Sequence, residues 1–372
     1  MPPASRCSKI WVLRMKTSCW MTSVVNAPMK LKHAALGAAF FCLALVSGCS
    51  GEIPIERLSG QTMGTTWSVV IANPIGSHDG AQLTAELEAA LADVNRQMST
   101  YDPESEISRF NADNGVGEWF PVSGPFADMT ARALGFSEVS AGAFDPTVGP
   151  AVNLWGFGPE ATSEDLPTDA DIEAARAQIG FEAIAVRAPE ADGGAALMKT
   201  APRTLDLSAI AKGYGVDVMY GVLDDAGYAN FLVEIGGEVR VKGDKDGRGW
   251  QIAVEKPIRE QRAVEQVLAL KNVALATSGD YRNIRTIDGV VYSHTIDPTT
   301  ARPVTHALAS VTVASDTCAV ADGWATTLLV LGPEGGLELA IKQDLAAMFI
   351  MRTANGFEIQ YTPRFERLVE GG

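Results

Sequence analysis

Two residues near the carboxyl end of the chain have the types and spacing of a site for a hard cation such as Mg²⁺. Asp322 and Thr326 are four positions apart in the segment CAVADGWAT, which spans residues 318–326. On an α-helix, two residues at this spacing lie on the same face. A carboxylate and a hydroxyl in that arrangement can bind one hard cation through oxygen. The pair therefore indicates oxygen-liganded metal chemistry.

A second segment, LDLSAIAKGYGVD at residues 205–217, places Lys212 among small residues and follows it with Gly213 and Gly215. Each glycine destabilises a helix interior by about 1 kcal/mol relative to alanine, so two of them need a reason. One explanation is that glycine lets the backbone approach an anionic ligand at the start of a helix, beside the charge of Lys212. The other is that the glycines allow tight packing of the helix on a sheet.

These residues need a scaffold, and the hydrophobic patterning predicts one that mixes strands and helices. Strands are predicted over 62–72, 231–234, 238–242, 250–255, 267–270, 274–277, 309–314 and 346–352. Helices are predicted over 81–98, 126–140, 170–180, 213–226, 319–331 and 333–343. Strands in hairpins and helices in separate runs favour an α+β fold over a doubly wound parallel sheet. No G-x-G-x-x-G follows a strand and no P-loop motif occurs, so the common nucleotide-binding folds are disfavoured.

Eight short segments are richer in polar residues and glycine than their apolar surroundings require. Singly, each has an ordinary explanation, since Gly-Gly between strands is usually a hairpin turn and Asp-Pro a turn or a cap. The segments are MGT at 63–65, MSTY at 98–101, AFDP at 143–146, LDLSAIAKGYGVD at 205–217, EIGGE at 234–238, TSGDYR at 277–282, SHTIDP at 293–298 and CAVADGWAT at 318–326.

In this order, the eight segments resemble those of the ApbE family, the FAD:protein FMN transferases once described as thiamine-biosynthesis lipoproteins. The resemblance runs from about Gln61 to Pro363, and DLSAIAKGY and SHTIDP are its most specific parts. It implies an enzyme that uses Mg²⁺ to move the FMN half of FAD onto a threonine or serine hydroxyl of a target protein, releasing AMP. The implied targets are exported or membrane-bound redox proteins, such as subunits of ion-pumping NADH:quinone or related electron-transfer complexes. The implied fold is T-fold-like, with antiparallel sheets packed with helices and FAD in a cleft between two lobes.

The resemblance also assigns residues to the metal and to FAD. It implies that Ala209 offers its backbone carbonyl to Mg²⁺ beside the side chains of Asp322 and Thr326, and that Lys212 neutralises the phosphates of FAD. The other residues implied to contact FAD are Met63, Tyr101, Ala143, Phe144, Asp145, Asp206, Ser278, Gly279 and Thr295.

The incoming hydroxyl needs a proton acceptor, and two residues are catalytic candidates. His294 lies in SHTIDP, and an imidazole titrates near neutral pH. Asp322 would combine metal binding with proton transfer. We prefer Asp322 at this point, with His294 positioning ligands.

The chain departs from the family pattern at one position. The family usually reads Asp-Pro-x-Thr-Gly-x-Pro, whereas Ala301 replaces the glycine in DPTTARP at 297–303. If this position needs a positive φ angle, alanine costs of order 1 kcal/mol or more. The loop is then expected to bend differently, although no liganding group is lost.

Two other functions fit the same residues. If water replaces the hydroxyl acceptor, the protein is a periplasmic FAD pyrophosphatase that yields FMN and AMP. A non-catalytic flavin-binding lipoprotein would only store or deliver FAD. Storage needs no metal, so the presence of Asp322 and Thr326 disfavours the non-catalytic lipoprotein.

The first 48 residues have the features of an export signal. They contain no acidic residue, and their apolar run at 34–46 is shorter than the roughly 20 residues of a membrane span. The sequence LVSGC at 45–49 resembles a lipobox, which predicts lipid on Cys49 and a catalytic domain on the periplasmic side of a bacterial membrane. The predicted division is an extension from a mis-assigned start at 1–28, a signal peptide at 29–48, a lipidated tether at 49–60 and the transferase domain at 61–366.

The charge balance limits the possible partners. Cleavage before Cys49 removes six of the 30 basic residues and none of the 45 acidic ones, which leaves a formal charge of −21. A protein this acidic is not expected to bind nucleic acid. It is also not expected to bind anionic lipid through a basic face, so the lipid on Cys49 would tether it to the membrane. Cys318 is the other cysteine of the cleaved chain and is predicted to be a small core residue.

Overall fold

The computed structural model of the protein describes residues 53–74, 79–160, 165–188, 194–259 and 261–370. The predicted signal peptide and the lipidation site at Cys49 lie outside these residues. The helices are α1 Gly80–Met98, α2 Glu106–Ala112, α3 Gly124–Val139, α4 Gly149–Leu154, α5 Asp169–Arg176, α6 Ser208–Asp225, α7 Cys318–Lys342 and α8 Pro363–Glu370, with a 3₁₀ turn at Phe181–Ala183.

Among the described residues, five antiparallel sheets form. The strands are β1 Ile55–Thr62, β2 Thr65–Ala72, β3 Trp119–Pro121, β4 Ile184–Arg187, β5 Ala196–Lys199, β6 Phe231–Ile235, β7 Glu238–Lys242, β8 Trp250–Glu255, β9 Val264–Leu270, β10 Val273–Gly279, β11 Ile284–Ile287, β12 Val290–Ser293, β13 Ile296–Asp297, β14 Arg302–Pro303, β15 Leu308–Ser315, β16 Ala346–Thr353 and β17 Gly356–Tyr361. The largest sheet has the order β1-β2-β6-β7-β10-β15-β16-β17. These elements confirm the predicted α+β class.

The eight-stranded sheet is the layer on which the helices rest. Trp67, Val69 and Ile71 of β2 are fully buried and pack with residues of α1 and α6, whereas the alternate residue Ala72 belongs to the core on the opposite face. Side chains alternate between the two faces of a strand, so one hydrophobic strand serves both cores. The hairpin β8–β9 and helix α8 contribute to the opposite core, and α7 covers β10, β15 and β16 on the first face.

Helix α6 begins at Ser208, five residues before the predicted start. Leu207 and Ile210 are fully buried, so packing fixes the first turn, and the N-cap residue Leu207 makes no side-chain capping bond. Helix α7 fits the two helices predicted at 319–331 and 333–343, because it breaks at Gly332, whose φ of 76° is not helical, just before Pro333.

The amino-terminal boundary of the folded part differs from the prediction. Residues 55–60 belong to β1, which pairs with β2 in full register, and so are not part of a tether. The strand predicted over 62–72 covers the two-residue turn, Met63 and Gly64, together with β2. Because so short a turn does not interrupt the pattern, the hairpin partner β1 was not predicted. The described residues from Ile53 onwards group as one compact unit. No helix in the described part of the chain has the length and apolar character needed to cross a membrane.

Candidate active site

The contact between α6 and α7 brings together the two segments with which the sequence analysis began. The backbone N–H of Gly213 donates to Oδ2 of Asp322 at 2.9 Å. A Cβ added to Gly213 would lie 2.4 Å from the carbonyl oxygen of Cys318. Gly213 is therefore needed for close packing of helix on helix. Gly215 likewise leaves room for side chains, since its added Cβ would lie 3.0 Å from Met63 Cε.

The Asp322 carboxylate, on α7, packs against the turn of α6 that runs from Ala209 to Gly213. In a regular α-helix, the carbonyl of residue 209 accepts from the amide of residue 213. Because that same amide donates to Asp322, the carboxylate reaches the group that normally pairs with the Ala209 carbonyl. Asp322 is only 2 % exposed, and burial raises the pKa of its carboxyl group, against the lowering effect of the Lys212 charge and the Gly213 amide.

Lys212 is shared between two buried carboxylates. Its Nζ lies 3.0 Å from Oε1 of Glu238 and 3.8 Å from Oδ1 of Asp322, and its side chain is 33 % exposed. Burial lowers the pKa of Lys212, but the charges of Asp322 and Glu238 outweigh that effect and raise it well above its usual value. Burial raises the pKa of Glu238 to about 7. Lys212 is thus cationic and open enough on one side to meet an anion.

Glu238 is a site residue that the sequence analysis missed. It stands in the segment EIGGE, which was singled out but given no role. The signal lies in the alternation of β7, in which Glu238, Arg240 and Lys242 share one face while Val239 and Val241 pack in the core. All three charged residues form ion pairs with α6, to Lys212, Asp217 and Asp224.

The hydroxyl of Thr326 lies one turn beyond Asp322 on α7, as the spacing predicted. Its Oγ1 is 3.1 Å from Oγ of Ser278, at the end of β10. Gly279 follows on the strand, and an added Cβ there would lie 2.5 Å from the ring of Tyr281. The structure thus joins Thr326 to Ser278, which the resemblance implied to contact FAD.

His294 has the geometry of a base. Its Nδ1 is 3.1 Å from the carbonyl oxygen of Asn283, and since a carbonyl only accepts, Nδ1 carries the proton of the neutral ring. Nε2 is then the basic nitrogen. Burial lowers the pKa of His294, and the positive charge of Lys212 lowers it further, against the raising effects of the Asn283 carbonyl and Asp280.

Of two residues predicted to contact the flavin, Tyr101 is exposed and Met63 lies in a turn of unusual backbone conformation. Tyr101 is 69 % exposed, and its hydroxyl is 3.5 Å from the carbonyl oxygen of Phe157. The Phe157 ring lies 6.3 Å from that of His294, which connects Tyr101 to the base. Met63 sits in the β1–β2 turn with a left-handed φ of 49°, which is uncommon for a residue other than glycine. Strained backbone of this kind is often found at functional sites.

The segment 143–145 is buried, and Asp145 and Asp206 both accept hydrogen bonds from neighbouring backbone amides. The Asp145 carboxylate accepts from the amide and hydroxyl of Thr147 and from the amide of Phe181, and burial raises its pKa. Asp206 accepts from the amide of Ser208 and so orders the entry to α6.

Ala301 holds a backbone conformation that favours glycine. It adopts a left-handed φ of 53°, and its carbonyl accepts from the indole of Trp155 at 2.8 Å. The position thus has the positive φ that the sequence analysis considered, although an alanine occupies it. Thr295 in the segment SHTIDP is buried, and its carbonyl accepts from the amide of Val304.

The donors around Asp322 fit a hard cation. A carboxylate, a hydroxyl and a backbone carbonyl are oxygen ligands, as Mg²⁺ requires. No group of three or more His, Cys, Asp or Glu side chains suited to a metal occurs among the described residues, so a cation here would depend on Asp322 and neutral oxygens. Mg²⁺ keeps several waters and also binds substrate phosphates, so few protein ligands suffice. Cys318, at the start of α7, is buried and not disulfide-bonded, as predicted for a core residue.

Solved structures of similar architecture are flavin transferases. The flavin transferase ApbE from Vibrio cholerae superimposes with a TM-score of 0.77 at 43 % identity, covering 85 % of this chain and all of that one. The apo form of the Pseudomonas stutzeri flavinyl transferase ApbE gives a TM-score of 0.76 at 38 % identity, covering 86 % of this chain and 98 % of that one.

The chain belongs to the ApbE family, whose family model matches residues 63–349. A protein of Vibrio cholerae serotype O1 named FAD:protein FMN transferase is 44 % identical over 86 % of this chain and 94 % of its own length. A Haemophilus influenzae protein of the same name is 42 % identical over 91 % of this chain and 99 % of its own length. The family, the α+β fold and the transferase class predicted from the sequence are therefore confirmed.

Proposed function

We propose that this protein is a Mg²⁺-dependent FAD:protein FMN transferase that attaches FMN to a threonine or serine hydroxyl. The observation that carries the proposal is the placement of the buried Asp322 carboxylate against the turn of α6 that holds Ala209, with Lys212 at its side. An anionic pyrophosphate next to these groups would meet one lysine and one oxygen-lined cation site. Phosphoryl transfer depends mainly on such positioning and charge neutralisation.

The residues that would hold Mg²⁺ are Asp322, Thr326 and, through its carbonyl, Ala209. When bound, the ion draws negative charge from the phosphate oxygens and so makes AMP a better leaving group. Lys212 would bind a phosphate oxygen through the exposed part of its ammonium group while Glu238 and Asp322 keep it charged.

His294 would take the proton of the acceptor hydroxyl. In the reaction, the hydroxyl oxygen bonds to the phosphorus of the FMN half, the bond from that phosphorus to the AMP half breaks, and the hydroxyl proton goes to Nε2. The lowered pKa keeps the imidazole neutral near pH 7, so Nε2 can accept. Asp322 is less suited, because its carboxylate is already engaged by Gly213 and lies next to Lys212. This reverses the preference drawn from the sequence.

We further propose that the acceptors are exported or membrane-bound redox proteins, including subunits of ion-pumping NADH:quinone or related complexes. The catalytic domain would act on the periplasmic side of the membrane, tethered by lipid on Cys49. The support is the lipobox-like sequence LVSGC at 45–49. Replacement of Cys49 by alanine should release the protein from the membrane fraction and abolish its labelling by radioactive palmitate. Absence of label in the unaltered protein would contradict lipidation, and membrane retention of the unlabelled variant would contradict lipid as the tether.

A single incubation, analysed on a denaturing gel and in solution, distinguishes the candidate functions. The purified protein is incubated with FAD, Mg²⁺ and a membrane extract of the same bacterium from which the gene has been deleted. Flavin fluorescence on a denatured protein band, absent without Mg²⁺, is the expected result. Free FMN and AMP without a fluorescent band would instead identify a pyrophosphatase. Bound FAD that is recovered unchanged would identify a carrier.

A further inference from the structure

The N-terminus of α7 is capped by a residue of another helix. Oδ1 of Asp217, on α6, accepts from the amide of Cys318 at 2.9 Å, and Oδ2 accepts from the amide of Ala319 at 2.9 Å. Thr317 stands at the N-cap position of α7 in an extended conformation, but its own side chain makes no capping bond. The free amides of the first turn are therefore satisfied by a carboxylate about 100 residues away in sequence.

The Asp217 carboxylate is itself held in place. Nη1 of Arg240, on β7, donates to Oδ1 at 2.7 Å, and the guanidinium lies 3.8 Å from the centre of the Tyr220 ring. Both partners of the ion pair are mostly buried. Burial raises the pKa of Asp217, and the two α7 amides and Arg240 act in the opposite direction.

The two helices are joined at two points of matched spacing. Gly213 and Asp217 are four residues apart on α6, and Cys318 and Asp322 are four residues apart on α7. At one point the Gly213 amide donates to the carboxylate of Asp322, and at the other the carboxylate of Asp217 accepts from the amide of Cys318. Two such bonds, running in opposite directions, fix both the distance between the helices and the position of α7 along its axis.

We propose that Asp217 is a positioning residue that sets where Asp322 stands relative to the Ala209 carbonyl, and thereby the affinity for Mg²⁺ together with FAD. The inference rests on the proposed function. The Asp217 carboxylate is engaged by the two α7 amides and by Arg240, so it acts through α7. Partners that orient a metal ligand typically contribute 10- to 100-fold to metal affinity.

The test is Asp217→Asn, which keeps the shape of the side chain but loses one acceptor and the charge that pairs with Arg240. Its matched control is Asp224→Asn, which breaks the ion pair between Lys242 of β7 and Asp224 of α6, two residues further along the strand and seven along the helix. The measurement is the Mg²⁺ concentration at half-saturation of FAD binding, followed by flavin fluorescence without any acceptor. We expect an increase of about tenfold or more for Asp217→Asn and less than twofold for the control.

A second variant separates positioning from simple helix capping. Adding Thr317→Asp to Asp217→Asn supplies a local cap, because aspartate is a strong N-cap residue. We expect the melting temperature to recover while the Mg²⁺ requirement stays high. The double variant also carries the test if Asp217→Asn alone does not fold. An unchanged Mg²⁺ requirement in Asp217→Asn, or its return to normal in the double variant, overturns the inference alone. Absence of Mg²⁺-dependent FAD binding in the unaltered protein overturns the proposed function as well.

Discussion

The amide of Gly213 and the carboxylate of Asp322 form a 2.9 Å hydrogen bond between residues 109 positions apart. The bond exists because α6 and α7 approach so closely that a single methyl group at residue 213 would collide with the backbone of Cys318. The candidate site is therefore a property of a helix pair, and its geometry depends on a glycine that packs against the backbone of the other helix.

Substitution of this glycine should disrupt the site from a distance. In Gly213→Ala, the new Cβ would lie 2.4 Å from the Cys318 carbonyl oxygen, and backbone yields less easily than a flexible side chain. We expect a loss of about 1–3 kcal/mol in unfolding free energy and loss of flavin transfer. Urea unfolding and the in-gel fluorescence assay measure the two effects.

The matched control for that variant is Gly221→Ala on the same helix. An added Cβ at Gly221 meets nothing within 4 Å. Alanine there should stabilise the protein by up to about 1 kcal/mol and leave transfer unchanged. Equal effects of the two substitutions would show that helix propensity, and not the contact with α7, decides the outcome.

Lys212 should have a structural and a ligand-binding role that can be separated. Lys212→Met leaves the buried carboxylates of Glu238 and Asp322 without their partner. Because Lys212 is partly exposed, we expect a loss near the lower end of the usual range for a broken buried pair, about 3 kcal/mol at pH 8 without metal. FAD affinity should also fall.

The stability loss in Lys212→Met should fade in acid. The folded-state pKa of Glu238 is raised to about 7, so the neutral acid is favoured in the folded protein. Removal of the Lys212 charge raises this pKa further, because that charge lowers it in the unaltered protein. The penalty for an unpaired charge is therefore full above the folded-state pKa of Glu238 and disappears as the pH falls towards the unfolded value, about 4.3. Adding Glu238→Gln should restore part of the stability at pH 8 but not FAD affinity. Recovery of FAD affinity in the double variant would leave Lys212 with a structural role alone.

The pH dependence of transfer should report His294. Its pKa lies below the usual 6.5, so the ring is neutral at pH 7 and becomes protonated only in more acidic solution. We expect kcat/KM for FAD to be flat above pH 7 and to fall on the acid side, with a midpoint below 6.5. His294→Gln should lose most of the activity, and its remaining activity should lack this acid limb. An unchanged acid limb in the variant would assign the proton transfer to another group.

Removal of the Asp322 charge should abolish Mg²⁺ binding. Asp322→Asn keeps the size of the side chain but replaces one carboxylate oxygen by an amide, so both Mg²⁺ affinity and transfer should be lost. Asp316→Asn, at an exposed position just before α7, serves as the control and should retain both. Calorimetric titration with Mg²⁺ in the presence of FAD measures the binding directly. Normal binding by Asp322→Asn would remove this residue from the metal site.

The eight polar segments and their order were sufficient to predict the family and, through it, the α+β class. Each segment is short and continuous, so its residue types can be read directly from the sequence. Strand and helix periodicity likewise located β7, β10 and the broken helix α7, since Gly332 and Pro333 interrupt the pattern in the sequence itself. The hairpin of β1 was missed because its turn is only two residues long. The functions of Gly213 and Glu238 were missed because each depends on a partner distant in sequence.

The sequence by itself determined which chemical groups are present: Asp322 and Thr326 one helical turn apart, Lys212 beside small residues, and a histidine in a turn-rich loop. Only the tertiary structure decided which of them face one another. It engaged Asp322 with the Gly213 amide, fixed the basic nitrogen of His294 through the Asn283 carbonyl, and placed Asp217 as the cap of a helix that begins 101 residues later. Helical spacing is set by local backbone geometry and can be read along the chain, whereas these contacts arise only when separate elements pack into a common core.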